Sequence, residues 1–216
     1  YQRDQLWTNS MKGTKFRGRW RELKESYRLP VPVIEKANRF AEGFMNSQGS
    51  EPIPAVYQMS LPGFDPHLVW RNMDSFYDCA QKSVEIFKFL TREKEQHPQD
   101  MIILLPTHEE GWIMLQRFME AGISDVNHVF EDKDNSHHHK KSFWMGDGRL
   151  KMCTIHSFKG WELKNVILIT PEDSCFRGES LDCLIYTAMT RTRENLIVLN
   201  RNKKYNAYGE TWPHNW

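Results

Sequence analysis

The sequence lacks any apolar run near the roughly 20 residues that a membrane-spanning helix requires, and it shows no leader-type pattern at its start. No helical membrane span is expected. Cysteine is scarce: Cys79, Cys153, Cys175 and Cys183 are the only four in 216 residues, and no two form a CxxC pair. That spacing excludes a disulfide-stapled scaffold and a cysteine-based zinc centre. It fits reduced thiols in an intracellular, cytoplasmic protein. Charge of one sign is lacking too: 29 Lys and Arg face 28 Asp and Glu, for a net charge of +1. A protein without a whole-surface basic field must contact nucleic acid locally or together with another domain. The chain starts at Tyr1 and not at Met, which reads as a fragment or a processed product.

A phosphate loop of the form GxxxxGK[ST] is also missing. The nearest stretch, Gly13-Thr14-Lys15-Phe16-Arg17-Gly18-Arg19-Trp20, has the glycine spacing. Arg19 stands where the lysine should be, Trp20 where the metal-binding hydroxyl should be, and no apolar strand precedes it, so it is read as a decoy. No acidic strand end is available to hold Mg²⁺. His137-His138-His139 are adjacent, and three consecutive side chains on a regular element cannot converge on one ion; a solvated loop is the reading.

What is present is a packed α/β chain. Hydrophobic residues at 39% and charged residues at 26% allow a core and exclude global disorder. Pro30 and Pro32 open a helix with Val33, Ile34, Ala37, Phe40, Ala41 and Phe44 on one stripe. A second helix is predicted from Ser75 to Glu95, with Phe76, Ala80, Val84 and Phe87 inward. Ile102 to Leu105 is continuously apolar, as in a strand buried on both faces of a parallel sheet. Thr107-His108-Glu109-Glu110 predicts a capping box, followed by a helix with Trp112, Leu115 and Met119 inward and Gly122 as its stop. Short strands are predicted at Glu22–Tyr27, Pro54–Met59, Leu68–Trp70, Val126–Phe130, Lys151–Ile155, Val166–Ile169 and Leu196–Leu199. A helix over Leu181–Arg191 buries Leu181, Leu184, Ile185 and Ala188. Residues 131–142 are read as a charged, histidine-rich loop. Residues 202–216 lack periodicity and are read as a partner-contacting or loosely packed tail. Strands alternating with helices imply a mostly parallel sheet covered on both faces.

Two segments carry candidate chemistry. Thr154-Ile155-His156-Ser157-Phe158-Lys159-Gly160-Trp161-Glu162 follows a strand, and ligand sites of open parallel sheets form at carboxyl ends of strands. Lys159 offers charge to a phosphate, Gly160 lets the backbone approach closely, and Glu162 can accept hydrogen bonds from ribose hydroxyls. Taken alone, the same segment is equally a capped turn with solvated charges. Arg191, at the end of a helix and before a strand, can stabilise charge on a transferring phosphoryl group. Taken alone, it reads first as a cation complementing a helix C-terminus. At the start of the chain, Trp7, Phe16 and Trp20 interleave with Arg3, Lys12, Lys15, Arg17, Arg19 and Arg21. This pattern suits stacking on bases or packing on another domain.

Read together, the segments resemble a known family. Leu23-Lys24-Glu25-Ser26-Tyr27-Arg28, with Ile34 and Ala37-Asn38-Arg39-Phe40, resembles motif IV of the superfamily 1 helicases of the UvrD/Rep/PcrA type. Thr154–Glu162 resembles their motif V, and Tyr186-Thr187-Ala188-Met189-Thr190-Arg191-Thr192-Arg193 their motif VI. The resemblance covers about residues 20–200 in organisation and is close at these three places. It implies a RecA-like α/β fold: residues 1–22 an arm from a missing first motor domain, 23–201 the second motor domain, 202–216 a tail. It implies that Arg28 and Arg191 reach the terminal phosphate of ATP from opposite sides, and that Lys159, Gly160 and Glu162 line the nucleotide. By the same resemblance Thr154 and His156 touch the backbone of single-stranded DNA, with RNA not excluded. Asp4-Gln5-Leu6-Trp7 partly resembles motif III, which makes Gln5 the phosphate-sensing glutamine. Mg²⁺ would be held mainly by the missing N-terminal RecA-like domain. The family usually has Leu-Glu-Phe where Trp161-Glu162-Leu163 stands, which keeps the carboxylate and alters the packing around it. The interval from Arg28 to Thr154 is filled by the domain's own elements, so the large subdomain often inserted there is not expected. The alternative reading is a non-catalytic, helicase-like module that binds nucleic acid or protein.

Overall fold

A computed structural model describes residues 29–45, 66–130, 143–144, 146–158, 160–172 and 181–213. The chain begins with helix α1 (Val31–Phe44), then strand β1 (Leu68–Asn72), α2 (Phe76–Arg92), β2 (Met101–Leu105) and α3 (His108–Glu120). It continues with β3 (Val126–His128), β4 (Leu150–Thr154), β5 (Leu163–Ile169), α4 (Leu181–Met189) and β6 (Thr192–Asn200). A 3-10 turn, Lys203–Tyr205, and one helical turn, Asn206–Gly209, follow. The six strands form one sheet in the order β1-β6-β5-β2-β4-β3, and every neighbouring pair is parallel. The fold is the α/β, RecA-like arrangement expected from the sequence.

Burial explains the order. Every residue of β2 is buried. Ile102 and Leu104 face α1 and α4, whereas Met101, Ile103 and Leu105 face α2 and α3, so the two cores alternate along the strand with the two-residue period of the pleat. A strand with no polar face can only sit centrally, which is where β2 lies, between β5 and β4. The helices start as their caps dictate. Ser75 Oγ accepts from the Asp78 amide, Thr107 Oγ1 accepts from the Glu110 amide, and Pro30 and Pro32 flank the start of α1.

Several elements depart from the sequence expectation for physical reasons. The inward stripe of α3 is Gly111, Met114, Leu115 and Phe118, while Trp112 and Met119 are exposed. Gly111 sets that rotation: a Cβ there would lie 2.4 Å from the Phe130 ring, so only glycine lets the helix close onto it. Trp112 instead meets the rim of His128, with ring centroids 5.1 Å apart. The capping box at Thr107 is only half realised, because the Glu110 carboxylate pairs with Arg201. α4 ends at Met189 and leaves Thr190 and Arg191 in a turn. In α2, Phe76 is only partly buried, and Cys79, Ser83, Ile86 and Leu90 join the interior. β5 and β6 begin earlier than expected, at Leu163 and Thr192. Polar residues near each start, Lys164-Asn165 and Thr192–Asn195, hide the strands, yet Asn195 donates to Asn165 Oδ1 at 2.6 Å and Asn165 donates to Gln96 Oε1 at 3.1 Å inside the sheet. Lys151 is fully buried, and its ammonium donates to the carbonyls of Gln99 and Asp147, both at 2.7 Å. Burial pushes its pKa down.

The tail corrects the expectation of a loosely packed end. Tyr205 and Trp212 are buried, and Trp212 lies 5.4 Å from Trp70, centroid to centroid. Phe40 of α1 is 5.3 Å from Tyr205, and the Tyr208 hydroxyl donates to the Lys36 carbonyl at 2.6 Å. Asn200 Nδ2 donates to Asn72 and Asn206 side-chain oxygens, both at 3.0 Å, which ties the tail to the ends of β6 and β1. Gly209 packs so closely on Trp70 that a Cβ would come within 2.2 Å of the indole. The predicted strands at Glu22–Tyr27 and Pro54–Met59, the loop 131–142, the whole arm 1–22 and Arg28 lie outside the described residues. Replacing Trp212 by Ala is expected to lower the unfolding free energy by about 3–5 kcal/mol, as for a buried core aromatic. Urea denaturation measures it, and a change below about 0.5 kcal/mol would restore the loose tail.

Candidate functional site

Thr154 is the last residue of β4, at the carboxyl edge of the sheet. Its Oγ1 lies 2.9 Å from Ser157 Oγ and accepts from the Ser157 amide at 3.3 Å. The Phe158 amide bonds back to the Thr154 carbonyl at 3.2 Å, closing a tight turn. Ile155 and Phe158 are buried in the core beneath α1 and α4, which anchors the turn. His156 sits between these anchors and is exposed. The turn therefore uses the Thr154 hydroxyl internally and offers the His156 side chain outward. Gly160 follows at φ +94°, a left-handed conformation that swings the chain back along the sheet.

Glu162 and Arg191 do not share that edge. Leu163 pairs with Thr192 at the start of β5 and β6, so Glu162 and Arg191 stand just before the amino ends of two parallel neighbours. Leu104 pairs with Cys153 on one side and with Leu168 on the other, which puts Thr154 level with Ile169. Glu162 lies seven residues before Ile169. At the rise of a β-strand the two ends of the motif are thus roughly 20 Å apart. The sequence placed Thr154–Glu162 wholly at the carboxyl edge; the structure divides it between opposite edges. The segment passes over β2, the strand between β4 and β5.

At the amino edge three side chains meet. Glu162 is 11% exposed at its side chain. Its Oε1 lies 3.5 Å from Arg191 Nη1, and its Oε2 accepts from Arg193 Nε at 3.3 Å. Arg191 Nε is buried with no acceptor among the described residues. Two guanidiniums thus share one carboxylate, and Arg191 keeps that buried donor with no acceptor among the described residues. Such a pair of guanidiniums has donors that suit an incoming anion. Arg191, in the turn, and Arg193, in the strand, flank Thr192, the first residue of β6, and both reach Glu162. Arg193 was not among the residues singled out from the sequence; that two-residue spacing at a strand start was the available signal. Arg191 does more than complement a helix terminus, since its partner is the carboxylate of another motif.

Gln5, Arg28 and Lys159 lie outside the described residues, so the convergence of Arg28 with Arg191 is not part of this geometry. Leu29, next to Arg28, is buried. Two open grooves, of about 310 and 390 Å³, lie at the carboxyl end of β1 and are lined by residues that include Arg71, Asn72, Asp78 and Lys82. Four strand spacings separate β1 from β4, so these grooves belong to neither the Thr154 turn nor the Glu162 cluster. Among the described residues no group of three or more His, Cys, Asp or Glu side chains could hold a metal ion.

Comparison with known proteins bears out the resemblance. Residues 151–199, which contain both the Thr154–Glu162 segment and Arg191, match the UvrD-like helicase C-terminal domain family. The C-terminal domain of a possible DNA helicase from Lactobacillus plantarum WCFS1 is similar in structure, with a TM-score of 0.54 and 14% identity over 84% of this chain and 93% of that one. Weaker likenesses, both with TM-scores of 0.43, are to the Escherichia coli DEAD-box protein SrmB bound to the regulator RraA and to domain 2 of the DEAD-box helicase Mss116p bound to an RNA duplex. SrmB is 13% identical over 66% of this chain and 81% of that one; Mss116p is 16% identical over 67% and 60%. No curated protein matches the sequence.

The left-handed conformation of Gly160 makes a direct prediction. A Cβ there meets no atom within 4 Å, so any penalty comes from the backbone and not from a clash. Gly160→Ala is expected to destabilise the fold by about 1–2 kcal/mol in urea denaturation. No change would mean that the turn adopts another conformation in solution.

Proposed function

We propose that this chain is the second motor domain of an ATP-dependent UvrD-like DNA helicase or translocase. Nucleotide binds in a cleft between it and a first RecA-like domain, which supplies the phosphate loop and holds Mg²⁺. The amino edge described above faces that cleft. Arg191 contributes a guanidinium to the terminal phosphate, Glu162 takes the ribose hydroxyls, and Lys159, Gln5 and Arg28 complete the contacts that the family resemblance implies. The carboxyl edge, with His156 outward and Thr154 fixing its turn, meets the backbone of single-stranded DNA.

The observation that carries this reading is the division of one short segment between two edges. A site that hydrolyses nucleotide at one edge and grips a strand at the other needs a mechanical link between them. Residues 155–162 form a direct one. Their ends are held by the Thr154 turn and by the Glu162 cluster, and their first half is pinned by the buried Ile155 and Phe158. When the cleft closes on nucleotide, Arg191 engages the phosphate and the amino edge shifts toward the other domain. The segment transmits that shift to the carboxyl edge. Hydrolysis removes the phosphate bridge, and the cleft reopens. This cycle converts turnover into movement along the strand.

Charge developing on a transferring phosphoryl group makes the arginine contribution large. In the protein containing both motor domains, Arg191→Ala is expected to lower DNA-stimulated ATP turnover by about 10³–10⁵-fold. Binding of single-stranded DNA should stay near the wild-type level. Unchanged turnover would favour a non-catalytic binding module. Residues 1–216 alone are expected to show no ATP hydrolysis with or without single-stranded DNA, and measurable DNA-stimulated turnover would contradict the shared site.

A further inference from the structure

Arg193 sits on the same carboxylate as Arg191 and differs from it in every respect that matters for exchange. Its Nε makes a hydrogen bond to Glu162 Oε2 at 3.3 Å, and its side chain is 57% exposed. Arg191 is held at 3.5 Å by charge alone, is 24% exposed, and keeps a buried Nε proton without an acceptor. One guanidinium is hydrogen-bonded to Glu162 and wetted by solvent; the other is loosely held and has an unused donor. An incoming phosphate dianion outcompetes a single carboxylate for the loosely held group, because it offers more acceptor oxygens and more charge. Glu162, only 11% exposed at its side chain, then keeps Arg193 as a charged, hydrogen-bonded partner that holds it in place.

We propose that Arg193 is a positioning residue of the nucleotide site. It keeps the Glu162 carboxylate oriented toward the ribose while Arg191 transfers from that carboxylate to the terminal phosphate. Arg193 does not touch the phosphate. The inference rests on the nucleotide reading of the amino edge given above. It deepens that reading by separating a mobile arginine from a stationary one.

The test is steady-state ATP hydrolysis by the two-domain protein with saturating single-stranded DNA, comparing wild type, Arg193→Ala, Arg193→Lys and Arg191→Ala. Arg193→Ala is expected to raise KM for ATP about fivefold, the scale of losing one solvent-exposed ion pair, with kcat little changed. Arg193→Lys should recover part of that loss. The rise in KM should disappear with 2′,3′-dideoxy-ATP, which offers Glu162 no hydroxyl; a merely structural loss would affect both nucleotides alike. An equal rise for both nucleotides, an unchanged KM for ATP, or a fall in kcat as deep as that of Arg191→Ala would each overturn the proposal. A normal kcat for Arg191→Ala would overturn the nucleotide reading itself, and this proposal with it. A strong Arg191→Ala defect beside a silent Arg193→Ala would overturn only the role of Arg193.

Discussion

One carboxylate held by two guanidiniums organises the amino edge of this domain. Glu162 ends the segment that leaves β4, and Arg191 and Arg193 bracket the first residue of β6. The parallel pairing of Leu163 with Thr192 brings them together across 29 residues of sequence. Above a one-residue shift in register and the Asn165–Asn195 pair, Val166, Ile167 and Leu168 of β5 face Leu196, Ile197 and Val198 of β6, and these apolar pairs hold the two strands together. Slipping the register by one residue would turn each of these chains to the opposite face and dismantle both cores. The electrostatic cluster is therefore a consequence of the hydrophobic sheet.

The same logic assigns a purpose to the central strand. β2 has no exposed residue, and the segment from Thr154 to Glu162 must cross over it to reach β5. A rigid, fully buried strand beneath a short crossover leaves that crossover little freedom to absorb a displacement. In the proposed cycle this is what passes movement from one edge to the other. The proposed coupling therefore runs through covalent chain and packing.

Much of this was legible in the sequence. The buried character of β2 followed from its unbroken apolar run, and the start of α1 from its prolines. The motifs around Thr154 and Arg191 identified the family resemblance before any geometry. Three things were not legible. The rotation of α3 depends on Gly111 meeting Phe130, a contact between residues whose periodicities look independent. The packing of the tail depends on Trp70, Phe40 and Trp212 meeting from three distant segments, so no local period announces it. The division of the Thr154–Glu162 segment between edges was hidden because Lys164 and Asn165 follow Leu163 and interrupt the apolar run of β5. Reading its start at Val166 made the crossover seem to stay at the carboxyl edge. Polar strand ends that are satisfied by each other, as Asn165 and Asn195 are, defeat hydropathy patterns in general.

The central claim is that a single guanidinium moves from a protein carboxylate to a substrate phosphate. The most direct measurement is a crystal structure of the two-domain protein bound to single-stranded DNA and a transition-state analogue of ATP hydrolysis. The account requires Arg191 on the phosphate mimic, with Glu162 still bonded to Arg193. Finding Arg191 on Glu162 and remote from the bound analogue would contradict it.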